Sequence, residues 1–142
     1  MTDHSVPIGV AATRSGVKVP TIRYYELIGL LPKPPRTKSN RRTYKTADLC
    51  RLVFIRHARE LGFDIEAIRT LLTLQDNPDR SCTTADAIAR VRLDEVERRI
   101  EILKKLKIEL QRMLASCSRV RVADCRVLEA LAAGRLKYNA AL

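Results

Sequence analysis

Tryptophan is absent from the 142 residues, and only four tyrosines, two phenylalanines and five glycines are present. With 46% hydrophobic residues, that scarcity points away from a β-sandwich and toward a mainly helical protein. No run approaches eighteen apolar residues, and the opening stretch MTDHSVPIGV lacks the apolar core of a signal peptide, so neither a membrane span nor export is expected. The expected location is cytoplasmic, where cysteines are reduced, buried, metal-binding or redox-active rather than joined in structural disulfides. A Cys-x-x-Cys pair, the usual mark of a thiol oxidoreductase, is missing. His4 and His57 are the only histidines, both far in sequence from the C-terminal cysteines. With no nucleophile and base or paired carboxylates grouped along the chain, an enzyme is not expected.

What the chain does have is positive charge. The net charge is +11, and residues 1–45 hold nine Lys/Arg against two acids, Asp3 and Glu26. Such an imbalance calls for a polyanion, and the interleaving of basic residues with turn signals favours nucleic acid over a membrane surface. The local pattern agrees. IGVAATRSGV offers a short helix with Ile8, Val10, Ala11 and Ala12 apolar, followed by the glycine turn of a helix-turn-helix. In PTIRYYELIGLL, Pro20 fits a first helical turn; Ile22, Leu27 and Leu30 are expected inward, and Thr21, Arg23 and Tyr24 outward. This is a candidate recognition helix, with Lys18 at its start and Arg23 able to reach guanine edges or phosphates. PKPPRTKSNRRTYK is too rich in proline and charge for a helix, while Ser39-Asn40 can turn a short hairpin. We read it as a basic wing whose Arg36, Lys38, Arg41, Arg42 and Lys45 follow the phosphate backbone, with Tyr44 added to the DNA-contacting set.

Two further helices are expected. TADLCRLVFIRHARELG places Leu49, Leu52, Val53, Ile55 and Leu61 at helical spacing and stops at Gly62; FDIEAIRTLLTL opens with Asp64 as N-cap and Phe63 and Ile68 as a hydrophobic staple. Cys50 reads as a small buried hydrophobe and His57 as a surface or phosphate-contacting residue. A long helix follows over residues 84–116. Alternate steps of four and three pick out Ala89, Leu93, Val96, Ile100, Leu103, Lys107, Leu110, Leu114 and Cys117, a heptad seam broken by Lys107. A helix of about 50 Å has no mate of equal length in this chain, so it is expected to dimerise. The resulting division is a winged helix-turn-helix domain over residues 1–75, a connecting loop over 76–83, the dimerisation helix over 84–116, and a thiol-bearing loop and tail over 117–142.

IGVAATRSGVKVPTIRYYELIGLL, the wing ending RRTY, the pair of helices through LGFDIEAIRTLL, and the long helix leading to CSRVRVADC together resemble the mercury-resistance regulator (MerR) family over nearly the whole chain. The most specific part is IRYYE..GLL followed by Arg-x-Tyr about a dozen residues on. One departure stands in the wing, where the family's Asn-Gly-Tyr is replaced by Ser39, Asn40 and Arg41. Asn40 is able to take the positive-φ position, while Arg41 exchanges an aromatic contact for a charge.

Spacing alone leaves the C-terminal cysteines open: packing residues, a redox pair of Cys117 with Cys125, or metal ligands. The resemblance implies an antiparallel coiled coil between two copies of the chain. Cys82 and Cys117 are 35 residues apart, five heptads, so Cys82 of one subunit would then meet Cys117 of the other, with Cys125 folded back by the intervening loop. Metal sensors of the family resemble this chain in the paired thiols, and those answering divalent ions add a cysteine where Cys82 stands. The resemblance therefore implies a homodimer that binds promoter DNA, underwinds it when loaded so that RNA polymerase can use the promoter, and responds to a soft divalent ion: mercury, lead or cadmium, then zinc. The seven residues between Cys117 and Cys125 look like the loop of copper sensors, which keeps a two-thiolate Cu(I)/Ag(I) reading open. A nonspecific architectural DNA binder fits the charge but leaves the three thiols unexplained.

Overall fold

The computed structural model describes residues 4–115 and 121–134. Strand β1 (Val6–Pro7) leads into helix α1 (Ile8–Ser15), then α2 (Val19–Leu27), strand β2 (Thr43–Tyr44), α3 (Thr46–Glu60), α4 (Ile65–Gln75) and the long α5 (Thr83–Ala115). A single 3-10 turn (Val122–Asp124) precedes α6 (Arg126–Ala133). The long helix begins one residue before the predicted Thr84, and its described part runs to Ala115. Two compact units divide at Ile88, and each is described separately.

In the first unit, local chemistry sets the helix ends. Gly16 stops α1 with φ +73, its N–H donating to the Ala12 carbonyl at 2.9 Å. The positive φ favours glycine, and a Cβ there would lie 3.3 Å from the Arg56 side chain, which would have to shift slightly. Pro20 sits in the first turn of α2, where a missing N–H leaves no helical bond unmade. Asp48 reaches back to the Lys45 N–H at 2.9 Å at the start of α3, and Asp64 accepts from the Ala67 N–H at 2.7 Å at the start of α4. Gly62 ends α3 at φ +85, as the sequence predicts.

The core gathers Val6, Ala11, Val17, Ile22, Tyr25, Leu30, Leu31, Tyr44, Leu52, Ile55, Ala58, Ile68 and Leu72, with Phe63 partly buried against it. Each fully buried aliphatic side chain stabilises this unit by about 1.5–3 kcal/mol. Three expectations are corrected here. Leu27 points outward, 83% exposed, because α2 ends at that residue and the chain turns inward only afterwards through Leu30 and Leu31, whose N–H groups donate to the Tyr25 carbonyl. Leu61 is exposed because it follows the last turn of α3, whose buried face is Leu52, Ile55 and Ala58. Cys50 is exposed rather than buried, lying off that same face.

In the second unit, Glu109 and Met113 are buried on α5, and the Glu109 carboxylate is held by Arg112 one turn on. The seam residues behave differently. Leu93, Ile100, Leu103, Leu110 and Leu114 are between 45% and 68% exposed, and only Val96 among the large seam residues is half-buried. The buried positions near the end of α5 are therefore one step round the helix from Leu110 and Leu114, leaving the apolar stripe open along this chain. Among the described residues, no helix is long and apolar enough to cross a membrane.

Candidate nucleic-acid interface and thiol positions

The candidate recognition helix α2 turns two of its three expected polar residues to solvent. Arg23 and Tyr24 are exposed, Thr21 is half-buried, and Lys18 stands exposed at the N-cap. Behind them, Ile22 and Tyr25 anchor α2 in the core, so the outward face is presented by a fixed scaffold.

The wing is a hairpin closed by a bridge between Arg36 and Arg42. Its tip is held by the Thr37 N–H donating to the Arg41 carbonyl at 2.8 Å and the Asn40 N–H donating to the Thr37 carbonyl at 2.9 Å. Asn40 adopts φ +64, the left-handed conformation that its short polar side chain tolerates. Past the bridge the return strand becomes β2 and pairs antiparallel with β1, Val6 opposite Tyr44 and Pro7 opposite Thr43. That pairing ties the base of the wing to the start of α1; no expectation anticipated it. Lys38, Arg41 and Lys45 are exposed.

A cleft of about 770 Å³ opens between α1, α2 and the wing, lined by Gly9, Thr13, Arg14, Arg23, Arg36, Asn40, Arg41 and Arg42 among others, with no acidic residue in its wall. Arg23, Arg36 and Arg42 also line a second cleft of about 570 Å³, with Glu26 and Lys33. The structure thus brings Arg23, Arg36, Arg41 and Arg42 together, while Lys18, Thr21, Tyr24 and Lys38 lie outside both walls. Converging guanidinium groups suit phosphate recognition. Arg14 was missed, its only sequence signal being a cation in the last turn of α1, two residues before the Gly16 stop.

Tyr44 is corrected: it is fully buried, its hydroxyl donates to Glu26, and it is a core residue rather than a DNA contact. Burial foremost, then the hydrogen bond and charge of Glu26, pushes its phenol well above the usual tyrosine range. Arg42 has its Nε 3.0 Å from Glu26 Oε2, so one edge of this guanidinium is committed inside the protein.

Cys82 is exposed and stands immediately before α5, its carbonyl accepting from the Asp86 N–H at 2.9 Å. Cys125 is half-buried and stands immediately before α6, its carbonyl accepting from the Glu129 N–H at 3.0 Å. Cys117 lies outside the described residues. No group of three metal-ligating side chains assembles among the described residues of this one chain. Two arginines near the thiols have acid neighbours: Arg121 pairs with Asp124 at 3.2 Å and Arg126 with Glu129 at 3.1 Å. His57 is exposed and receives a 3.4 Å contact from Arg56.

Comparison with known proteins fits this arrangement. Residues 6–75 match the MerR HTH family regulatory protein profile, and residues 49–113 match the MerR DNA-binding profile. Heavy metal-dependent transcription regulator 2 of Rhizobium meliloti (strain 1021) is 37% identical over 132 residues, 93% of this chain and 90% of the relative. The transcriptional regulator ZntR of Escherichia coli (strain K12) is 41% identical over 130 residues, 89% of this chain and 92% of the relative. The crystal structure of a Ralstonia metallidurans CH34 transcription regulator in complex with lead(II) superposes with a TM-score of 0.76 at 34% identity, covering 87% of this chain and 97% of that one. With a recognition helix, a basic wing and a long helix in common with such relatives along most of its length, the chain belongs to the MerR family of helix-turn-helix regulatory proteins, which are transcription regulators and not enzymes.

Proposed function

We propose that the chain is a homodimeric, cytoplasmic transcription regulator that senses a soft divalent metal ion. The observation that carries this reading is the open apolar seam of α5 with Cys82 exposed at its head. A second copy laid antiparallel along that seam buries Ile100, Leu103 and their neighbours and brings its own C-terminal loop to Cys82. Each end of the dimer then gathers Cys82 of one subunit with Cys117 and Cys125 of the other. Relatives named for heavy-metal dependence or crystallised with lead(II) support a metal effector.

The donor chemistry fits the group. Three thiolates with no histidine nearby suit mercury, lead or cadmium better than zinc, which commonly takes a fourth ligand and often nitrogen. The positive ends of α5 and α6, whose first turns follow Cys82 and Cys125, favour a ligand set of net negative charge. A bound ion would cross-link the two chains, and the chain's own part is to hold the Cys82 and Cys125 sulfurs at helix starts.

On DNA, the domain of residues 1–75 reads a two-fold symmetric promoter site, with Lys18, Thr21, Arg23 and Tyr24 entering the major groove and Arg36, Lys38, Arg41 and Arg42 holding phosphates. Metal loading changes the DNA geometry that RNA polymerase meets, so that a poorly spaced promoter becomes usable. The seven-residue loop between Cys117 and Cys125 favours one second reading, a Cu(I) or Ag(I) sensor using two thiolates. Metal binding to anaerobically purified protein, in competition among Hg(II), Pb(II), Cd(II), Zn(II) and Cu(I), tests the choice. Preference for a divalent soft ion that disappears in Cys82→Ser supports the first reading; Cu(I) preference untouched by that change supports the second.

A further inference from the structure

Glu26 is the one acid between Asp3 and Asp48, a carboxylate alone in a strongly basic segment. It sits in the last turns of α2, its side chain 7% exposed. One oxygen accepts from the Tyr44 hydroxyl, and the other lies 3.0 Å from Arg42 Nε. Tyr44 belongs to β2, and Arg42 closes the bridge with Arg36 at the root of the wing. A single buried carboxylate therefore joins the recognition helix to the strand that carries the wing.

Stability gives no reason for a charge in this place. A buried ion pair is commonly replaceable by apolar groups of similar volume without loss, and a negative charge between arginines that face phosphate lowers the attraction to any DNA. What an apolar contact lacks is direction. A carboxylate held by a hydroxyl on one oxygen and a guanidinium on the other fixes the wing in both distance and angle relative to α2.

We propose that Glu26 is a positioning residue for sequence recognition: through Tyr44 and Arg42 it clamps the wing to the recognition helix, so that Arg23 and the wing cations meet DNA as one preset unit. The proposal rests on the DNA-reading assignment above and deepens it. Prior fixing of the two contact sets removes the ordering cost of binding, and it does so only on DNA where both sets fit at once. Glu26 then contributes selectivity while reducing general affinity.

That combination gives a test by sign. The full-length protein first selects a preferred duplex from a random pool; binding to that duplex and to random DNA is then measured for Glu26→Gln and Tyr44→Phe, with thermal melting alongside. Glu26→Gln should bind random DNA as tightly as the wild type or tighter, while the ratio of preferred to random affinity falls about tenfold, the scale of one mismatched base pair. Tyr44→Phe changes no charge and should lower the same ratio by about threefold, a lost hydrogen bond. Hydroxyl-radical footprints should keep the recognition-helix protection and lose that of the wing. A gain shared equally by both duplexes would make Glu26 a mere surface charge, and an equal loss on both with a lower melting temperature would make it a fold residue; either overturns the clamp. If Glu26→Gln does not fold, Tyr44→Phe decides alone, and an unchanged ratio overturns it. Should the wild type select no preferred duplex, the DNA-reading assignment falls first and the clamp with it.

Discussion

The DNA-reading unit and the long helix spend their apolar residues in opposite ways. In the first, Ile22, Leu30, Leu52, Ile55 and Ile68 are essentially inaccessible to water, and the ends of α3 and α4 are capped by Asp48 and Asp64. On α5, Leu93, Ile100, Leu103, Leu110 and Leu114 stand open, while its surface ion pairs, Arg92 with Glu95 and Lys104 with Glu101, contribute little each. One region is a finished core, and the other is half of one. A helix of this kind draws little stability from propensity alone and needs a packed face, which the proposed second copy would supply.

The hardest way to break that contrast is to charge the seam. Replacing Ile100 and Leu103 together by aspartate buries four carboxylates in the proposed dimer and should abolish dimerisation at micromolar concentration, with operator binding reduced by at least about a hundredfold. Sedimentation equilibrium checks the assembly; a surviving dimer would place the interface elsewhere. The same changes should leave the first unit folded, since neither residue belongs to its core.

Next in size is damage to the finished core. Leu52→Ala should cost about 2–5 kcal/mol of unfolding free energy by chemical denaturation, from lost burial and the cavity left. Leu27→Ala, at an exposed leucine at the end of α2, should stay within about 0.5 kcal/mol. Equal effects would mean that the burial contrast between these two leucines is wrong.

A smaller effect sharpens the division of labour at the DNA surface. Arg23→Ala should cost about 1–3 kcal/mol on the preferred duplex and relax its sequence preference, whereas Lys38→Ala should weaken all duplexes alike and reduce the salt slope by about one. Lys38 is a cleaner probe of phosphate contact than Arg42, because Arg42 also holds Glu26. A cap gives the smallest loss apart from that exposed leucine: Asp64→Ala removes the 2.7 Å bond from the Ala67 N–H and should lower stability by about 1 kcal/mol in the same denaturation experiment.

The helices were legible because their signals are local. Gly16, Pro20, Gly62 and Asp64 each act through their own backbone within a few residues, and the seven-residue repeat of α5 needs no knowledge of the partner. What failed depends on distant chain or on helix phase. The β1 and β2 strands are two residues each and join positions 6 and 44, so no alternation announces them. Leu27 and Leu61 lie at or just past helix ends, where the buried stripe no longer holds, and a single cysteine such as Cys50 adds no period to read. At the DNA surface the cations were visible as charge, but Tyr44 as a buried partner of Glu26 was not. The lone acid in a basic stretch was the available sign.

Mixed dimers decide whether each proposed metal site is shared between two chains. Cys82→Ser and Cys117→Ser subunits, each expected to be inactive as a homodimer toward Pb(II) or Cd(II), are combined and the heterodimer isolated with a distinguishing tag. If Cys82 works with the other subunit's Cys117 and Cys125, both lesions fall at one end and the opposite end is whole. One divalent ion per heterodimer is then expected, half the wild-type stoichiometry, with the thiolate-to-metal absorption of an intact site. A heterodimer that binds none, or a Cys82→Ser homodimer that binds Pb(II) and Cd(II) like the wild type, would contradict it.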